Sequence, residues 1–282
     1  MTRDGAMRIR KKCTKGILFF LTSLLTFPVL ATQTQTDHAL SNQTGYSPSA
    51  AQSNPTPSYH RGFGDLILQL GGFVSYEGSN EHVYIEGNDG DYFKVSNHSD
   101  GNYLLGLGYL INGPDEISLN NQIQFRTQYG LNAFYLPKVS VKGNLVQEQE
   151  FYDNLSFKYS VTNYPIYLTA RAIFDSCSNY KLTLDLGAGP NIIRAHDFKE
   201  KSQDGGITVP DQIFSAHTKT AFSATIGVGV RIKNAFGNTP VECGYRFFYL
   251  GQGSFKAIHP DLTNTLKTGN GYANALLCSI SV

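Results

Sequence analysis

Charged side chains sit at alternate positions of otherwise apolar runs: Asp65, Arg126, Lys158, Arg171, Lys181, Asp185, Arg231, Glu242 and Arg246. Successive side chains of an extended strand point to opposite faces, so such a pattern puts the charges on one wall and the apolar residues on the other. If the charged wall lines a narrow interior, its ionised groups need partners or water. Symmetric pairing about the turn 234–239 puts Arg231 directly across from Glu242. About the turn 175–179 it puts Arg171 diagonal to Asp185, and both separations are within cross-strand reach. Paired charges that hold strands together are the expectation for these four residues; a gated pore is the rival reading.

Other chemistry-bearing residues have weaker spacing. His196, His217 and His259 fall in or beside polar connections, with Ser215 and Ser254 nearby. Nucleophilic catalysis requires a hydroxyl and an imidazole within hydrogen-bond reach and a third group that orients the base. The ingredients are present without a fixed spacing, so no catalytic residue is assigned and the chain is expected not to be an enzyme. Glu86, Asp89 and Asp91 resemble the acidic tip of a calcium loop but lack its full pattern. No metal ligand, cofactor-binding residue or cofactor is implied. Gly106/Gly108, Gly187/Gly189 and Gly227/Gly229 are not phosphate loops, because no helix follows them. They suit gaps in a crowded interior or points of strong curvature.

The elements that must position these residues are strands, approximately 65–76, 101–111, 117–136, 153–174, 180–193, 218–233, 240–250 and 270–282. In the third, Ile117, Leu119, Ile123, Phe125, Tyr129, Leu131 and Tyr135 share one parity, and Gln122, Gln124, Arg126, Gln128 and Asn132 hold the other. The fourth contains a parity change, from Phe157, Tyr159 and Val161 to Ile166, Leu168, Ala170 and Ala172. A bulge near Tyr164-Pro165 would reconcile the two halves; a strand that simply begins near Pro165 is the alternative. The connections 77–100, 137–152, 194–217 and 251–269 are long and polar, whereas 112–116, 175–179 and 234–239 are short turn-formers. A membrane barrel sorts its connections in this alternating way, long outside and short in the periplasm. Within loop 77–100, Val83-Tyr84-Ile85 and Tyr92-Phe93-Lys94-Val95 flank an Asp-Gly turn and predict a hairpin above the membrane.

The fold expectation is therefore all-β: an eight-stranded antiparallel up-and-down transmembrane β-barrel with four long outer loops and three short periplasmic turns, over residues 62–282. Residues 1–31 read as a signal peptide. Arg8, Arg10, Lys11, Lys12 and Lys15 precede the apolar stretch 17–25, and Val29-Leu30-Ala31 forms a small-residue cleavage site. Residues 32–61, rich in Thr, Gln, Ser, Asn and Pro, read as a disordered periplasmic lead. Without the first 31 residues the chain carries 17 basic and 21 acidic residues, and no basic patch interleaved with aromatics suggests nucleic acid. Export permits disulfides. Symmetric pairing about 251–269 puts Cys243 opposite Cys278 on the outward parity. They form a candidate cysteine pair, with two small apolar residues facing lipid as the alternative, and Cys177 would be a free thiol.

The eight alternating runs with sorted connections resemble the small outer-membrane barrels typified by OmpA, OmpX and the Opa adhesins. The resemblance spans about residues 62–282 and lies in pattern rather than in a signature motif. In that family the last strand usually ends in an aromatic residue; here Tyr272, Leu276, Cys278, Ile280 and Val282 keep the alternation and the last residue is Val282. The resemblance implies an integral barrel of the cell outer membrane, structural and surface-exposed, with outer loops available for adhesion or ligand binding. The implied partners are outer-membrane lipid and lipopolysaccharide, the barrel-assembly machinery, and a host or surface ligand at the outer loops. A lipid-modifying outer-membrane enzyme and a narrow low-conductance channel are the alternative functions.

Overall fold

The computed structural model describes residues 64–85, 90–113, 117–120, 123–147, 152–176, 179–236 and 239–282. The expected signal and lead segments, and with them Cys177, Glu86 and Asp89, lie outside the described residues. The described chain is all-β and its long strands close into a ring. They are β1 (Asp65–Tyr76), β2 (Ser99–Asn112), β3 (Ile123–Gln147), β4 (Tyr152–Ser176), β5 (Tyr180–Ser202), β6 (His217–Phe236), β7 (Thr239–Ser254) and β8 (Lys267–Ser281). Each pairs antiparallel with the next, and β8 pairs back onto β1 with Cys278 opposite Leu70. Closure leaves no barrel strand with an unpaired edge.

Around this ring the outward side chains form an apolar belt. Leu66, Leu68, Leu70, Leu105, Leu107, Leu131, Leu168, Leu186, Phe222, Val228 and Leu276 are all exposed. With Tyr245 exposed on β7, every strand turns such a residue outward, as the surface of a transmembrane barrel does. At one end of the belt Tyr76, Tyr103, Tyr135, Tyr164, Tyr249 and Tyr272 form an aromatic girdle, with Tyr135 stacked on Tyr164 at a centroid distance of 5.3 Å. About ten residues per strand lie within the belt, roughly 25 Å of height at the usual tilt.

Strands β3 and β4 are 25 residues long and β5 is 23, twice what the crossing needs. Their surplus continues beyond the tyrosine girdle and pairs with a hairpin, Glu81–Tyr84 with Gly90–Asn97, as the sequence of loop 77–100 suggests. The result is a five-stranded cap in the order 81–84, 90–97, β3, β4, β5. Its free edge at Glu81–Tyr84 is covered by the segment before β8: Thr263 N donates to Tyr84 O at 3.1 Å and Asn264 Nδ2 to His82 O at 2.8 Å.

Three expectations change in detail. Segment 137–152, read as a loop, continues the ladder from Val139↔Val161 to Gln147↔Tyr152. Its one-sided apolar residues Val139, Val141 and Leu145 are buried, so pairing satisfies the backbone while burial stabilises the sheet. The third run is not one strand: 117–120 pairs antiparallel with the start of β3, with Ile117 opposite Phe125. There is no bulge at Tyr164-Pro165. In β4 the odd residues Phe157, Tyr159, Val161, Tyr167, Thr169 and Arg171 all point inward without interruption. The extra residues lie instead in β3 between Leu136 and Val139, at Pro137-Lys138, and in β5 between His196 and Lys199, where Asp197 has φ 57°. What changes along β4 is polarity, not register.

Candidate functional site

The lumen is built in layers. Near the periplasmic end, Arg171 on β4 lies directly opposite Asp185 on β5, not diagonal as expected, because the ladder is centred one residue later than the middle of 175–179, with Asp175 opposite Lys181. The guanidinium forks the carboxylate, Nε–Oδ1 at 2.6 Å and Nη2–Oδ2 at 2.9 Å, and its Nη1 reaches Glu242 Oε2 at 3.3 Å. Arg231 pairs across the ladder with Glu242, as its spacing suggests, with Nε 3.6 Å from Oε2. Arg246 Nη2 caps the second oxygen of Asp185 and its guanidinium lies 5.1 Å over the Phe134 ring. Thr183 Oγ1 donates to Glu242 Oε1 at 3.0 Å. Three guanidiniums around a carboxylate pair offset the desolvated charges and engage both carboxylates, although Arg231 Nε and Arg246 Nη1 have no hydrogen-bond partner among the described residues. Room for it is made by a missing side chain: a Cβ on Gly229 would come within 2.8 Å of Thr183 Oγ1 and 3.3 Å of the Glu242 side chain.

Lys181 and Lys233 close the mouth on Asp175, at 2.6 and 3.0 Å. Above the charged layer, Gln69, Asn132 and Thr169 form a hydrogen-bonded row at 2.9 and 3.0 Å. An aromatic layer of Phe73, Phe134, Tyr167 and Phe248 fills the section above, each at most 4 % exposed. Glu77 follows, the first residue beyond β1, accepting from Asn163 Nδ2 at 3.0 Å with no cation facing it among the described residues. The sequence reading passed over it because it begins a connection, although the inward parity of Gln69, Phe73 and Ser75 extends to it. A second aromatic cluster, Phe93, Phe157, Tyr159, Phe198, Phe214 and Phe255, fills the cap with ring centroids 5.1 to 6.2 Å apart.

Of the other singled-out residues, Lys158 points outward into solvent rather than into the lumen, because its neighbours Phe157 and Tyr159 take the interior. His217 Nδ1 lies 3.4 Å from Ser254 Oγ, with no carboxylate behind the imidazole among the described residues. His259 contacts Asp261 at 3.1 Å. His196 has what neither of those has: Nδ1 is 3.0 Å from Asp197 Oδ2 and Nε2 is 3.0 Å from Thr162 Oγ1. That chain of carboxylate, imidazole and hydroxyl sits on the β5 bulge just beyond the girdle. Thr162 is only 6 % exposed, which leaves a carbonyl substrate little approach to the hydroxyl. Among the described residues no group of three or more His, Cys, Asp or Glu side chains converges on a metal-sized site.

Cys243 and Cys278 are register partners on β7 and β8 and are joined by a disulfide. In the cap, Glu200 Oε2 accepts from Asp211 N at 3.1 Å, while burial, then the nearby Asp91 and Asp211, push its carboxyl up to about 7. Asp204 ties the turn 202–208, accepting from the hydroxyls of Ser202 and Thr208 and from backbone amides, and these donors hold its carboxyl below the usual range.

No protein-family model matches the chain, and no curated protein matches it. Among solved structures it is similar to Neisserial surface protein A, with 14 % identity over 77 % of this chain and 96 % of that one, at a TM-score of 0.33. It is also similar to the attachment invasion locus protein Ail of Yersinia pestis, at 13 % identity over 78 % and 99 % with a TM-score of 0.30. The outer membrane protease OmpT from Escherichia coli matches at 10 % identity over 80 % and 97 %, with a TM-score of 0.39. The architecture itself rests on the closed ring and the belt.

Proposed function

We propose that the chain is an integral outer-membrane barrel whose task is to anchor and display its cap at the cell surface. The observation that carries this reading is the lumen. From the Arg171–Asp185–Glu242 layer through Phe134, Tyr167 and Phe248 to the cap aromatics, it is occupied by buried side chains. A filled interior supports an anchor over a conducting channel. What remains for function is the outer surface, where binding residues concentrate on a rigid scaffold.

A second reading, a lipid-directed hydrolase at the outer membrane interface, is favoured by one observation, the Thr162–His196–Asp197 chain. Heat-modifiable gel mobility of the protein in detergent-extracted outer membranes, with protease access to the cap on intact cells, tests the anchor reading. Recovery in soluble periplasm overturns it. Unchanged lipid A mass spectra on deleting the protein, or on Thr162→Ala, remove the enzyme reading.

A further inference from the structure

Turned inward, the cap is apolar; turned outward, it is basic. The ladder pairs Lys142 on β3 with Lys158 on β4, and Lys158 with Lys199 on β5. Three lysines thus stand side by side on three consecutive strands, their backbones one strand spacing of about 4.8 Å apart. All three are exposed, and among the described residues none has a carboxylate partner. The next outward row of the same sheet reads Lys94, Asn144, Ser156, Lys201, again through direct register pairs. Like charges directly opposite one another destabilise a sheet. Asn144 and Ser156 show that neutral polar residues suit neighbouring positions on this face, so the fold itself does not require the lysines. A row of like charges at positions where neutral residues fit points to a ligand that neutralises it.

We propose that this face binds a linear polyanionic polysaccharide reaching the cap from the surrounding medium, with Lys142, Lys158 and Lys199 as its central contacts. The inference rests on the cap being displayed outside the cell. A row of fixed positive charges at strand spacing complements a chain carrying sulfate or carboxylate groups at regular intervals. The protein's own membrane is the less suited source. Lys158 lies six residues beyond the girdle residue Tyr164 along β4, roughly 15 Å above the belt at the usual tilt. That is farther than a lysine side chain reaches back toward lipid headgroups.

The test uses the full barrel in lipid nanodiscs and a heparin-derived octasaccharide as probe, with neutral dextran as control. Binding that weakens as salt is raised is expected. The triple variant Lys142→Gln, Lys158→Gln, Lys199→Gln should lose about tenfold or more in affinity, and Lys219→Gln, an exposed lysine on β6 away from the face, should lose none. The triple variant should also unfold no earlier than the parent, because it sheds like-charge repulsion; a merely structural role would make it unfold sooner. Affinity unchanged in the triple variant, equal loss in Lys219→Gln, or no binding of the octasaccharide at low salt would each overturn the proposal. So would lysine-dependent binding of lipopolysaccharide vesicles without binding of the octasaccharide. Failure of the anchor reading is separate: it would show as a cap inaccessible to protease on intact cells, whatever the octasaccharide does.

Discussion

Within the membrane the barrel is apolar outside and holds a charged and polar section beneath an aromatic layer inside; in the cap the same strands are apolar inside and polar outside. Strand β4 crosses both regimes. Its even residues Ile166 and Leu168 face lipid and its even residue Lys158 faces water, while its odd residues change from Arg171 through Tyr167 to Phe157. The solvent around each section dictates the inversion. Lipid accepts an apolar wall and leaves the narrow interior to hold paired charges, whereas water requires the sheet to bury its apolar face. The two regions therefore store stability differently, the cap in aromatic packing alone and the membrane section in an ion-pair network as well, and single substitutions should separate them.

The largest effect is expected at the charged layer. Arg171→Met leaves Asp185 and Glu242 buried with one cation fewer and should cost about 3–5 kcal/mol, read as a lower urea midpoint of the barrel in detergent. Glu242→Gln alone should cost more than Glu242→Gln combined with Arg231→Gln, because the single change strands a buried cation; equal midpoints would contradict the pairing. In the cap, Phe255→Ala removes a side chain 2 % exposed and should cost about 3–4 kcal/mol. That loss should appear as proteolysis of segments 90–97 and 203–216, with heat-modifiable mobility retained. Coupled loss of both would mean that the two regions are one cooperative unit.

Reduction of Cys243–Cys278 should lower barrel stability by about 2–3 kcal/mol while the cap keeps its protease resistance. Labelling of the unfolded, unreduced, processed protein should find one reactive thiol of its three cysteines; three would rule the bridge out. The smallest effect concerns Glu200, whose carboxyl is raised to about 7. A raised carboxyl stabilises the fold most below its unfolded value near 4.5, and that contribution is lost as pH rises through 7. The cap should therefore loosen by about 1 kcal/mol between pH 5 and pH 8, discounted for partial exposure. Glu200→Gln should flatten that dependence in amide exchange of residues 196–202.

Most of the membrane section was legible in the sequence because period-two alternation and turn composition are local signals. Arg231 opposite Glu242 and Cys243 opposite Cys278 follow from short or nearly symmetric turns; Arg171 and Asp185 were placed one step off because their ladder is centred one residue beyond the middle of 175–179. The cap was not legible in the same way. The parity of β4 looks interrupted near Tyr164-Pro165 only if apolar residues are taken to face lipid throughout. Phe157 and Tyr159 instead face a core assembled from the distant Phe93, Phe214 and Phe255. The lysine row needs registers across two bulged pairings, at Pro137-Lys138 and at Asp197, which no local pattern marks.

The inversion itself is most directly tested by scanning cysteines along β4 from 156 to 172 in a background lacking native cysteines, in bilayers, against a lipid-soluble and a water-soluble quencher. The account predicts that positions 166, 168, 170 and 172 respond to the lipid quencher and 156 and 158 to the aqueous one. Odd positions should be protected from both along the whole strand. A swap of the protected parity at Tyr164-Pro165, with 157, 159 and 161 open to lipid, would contradict it.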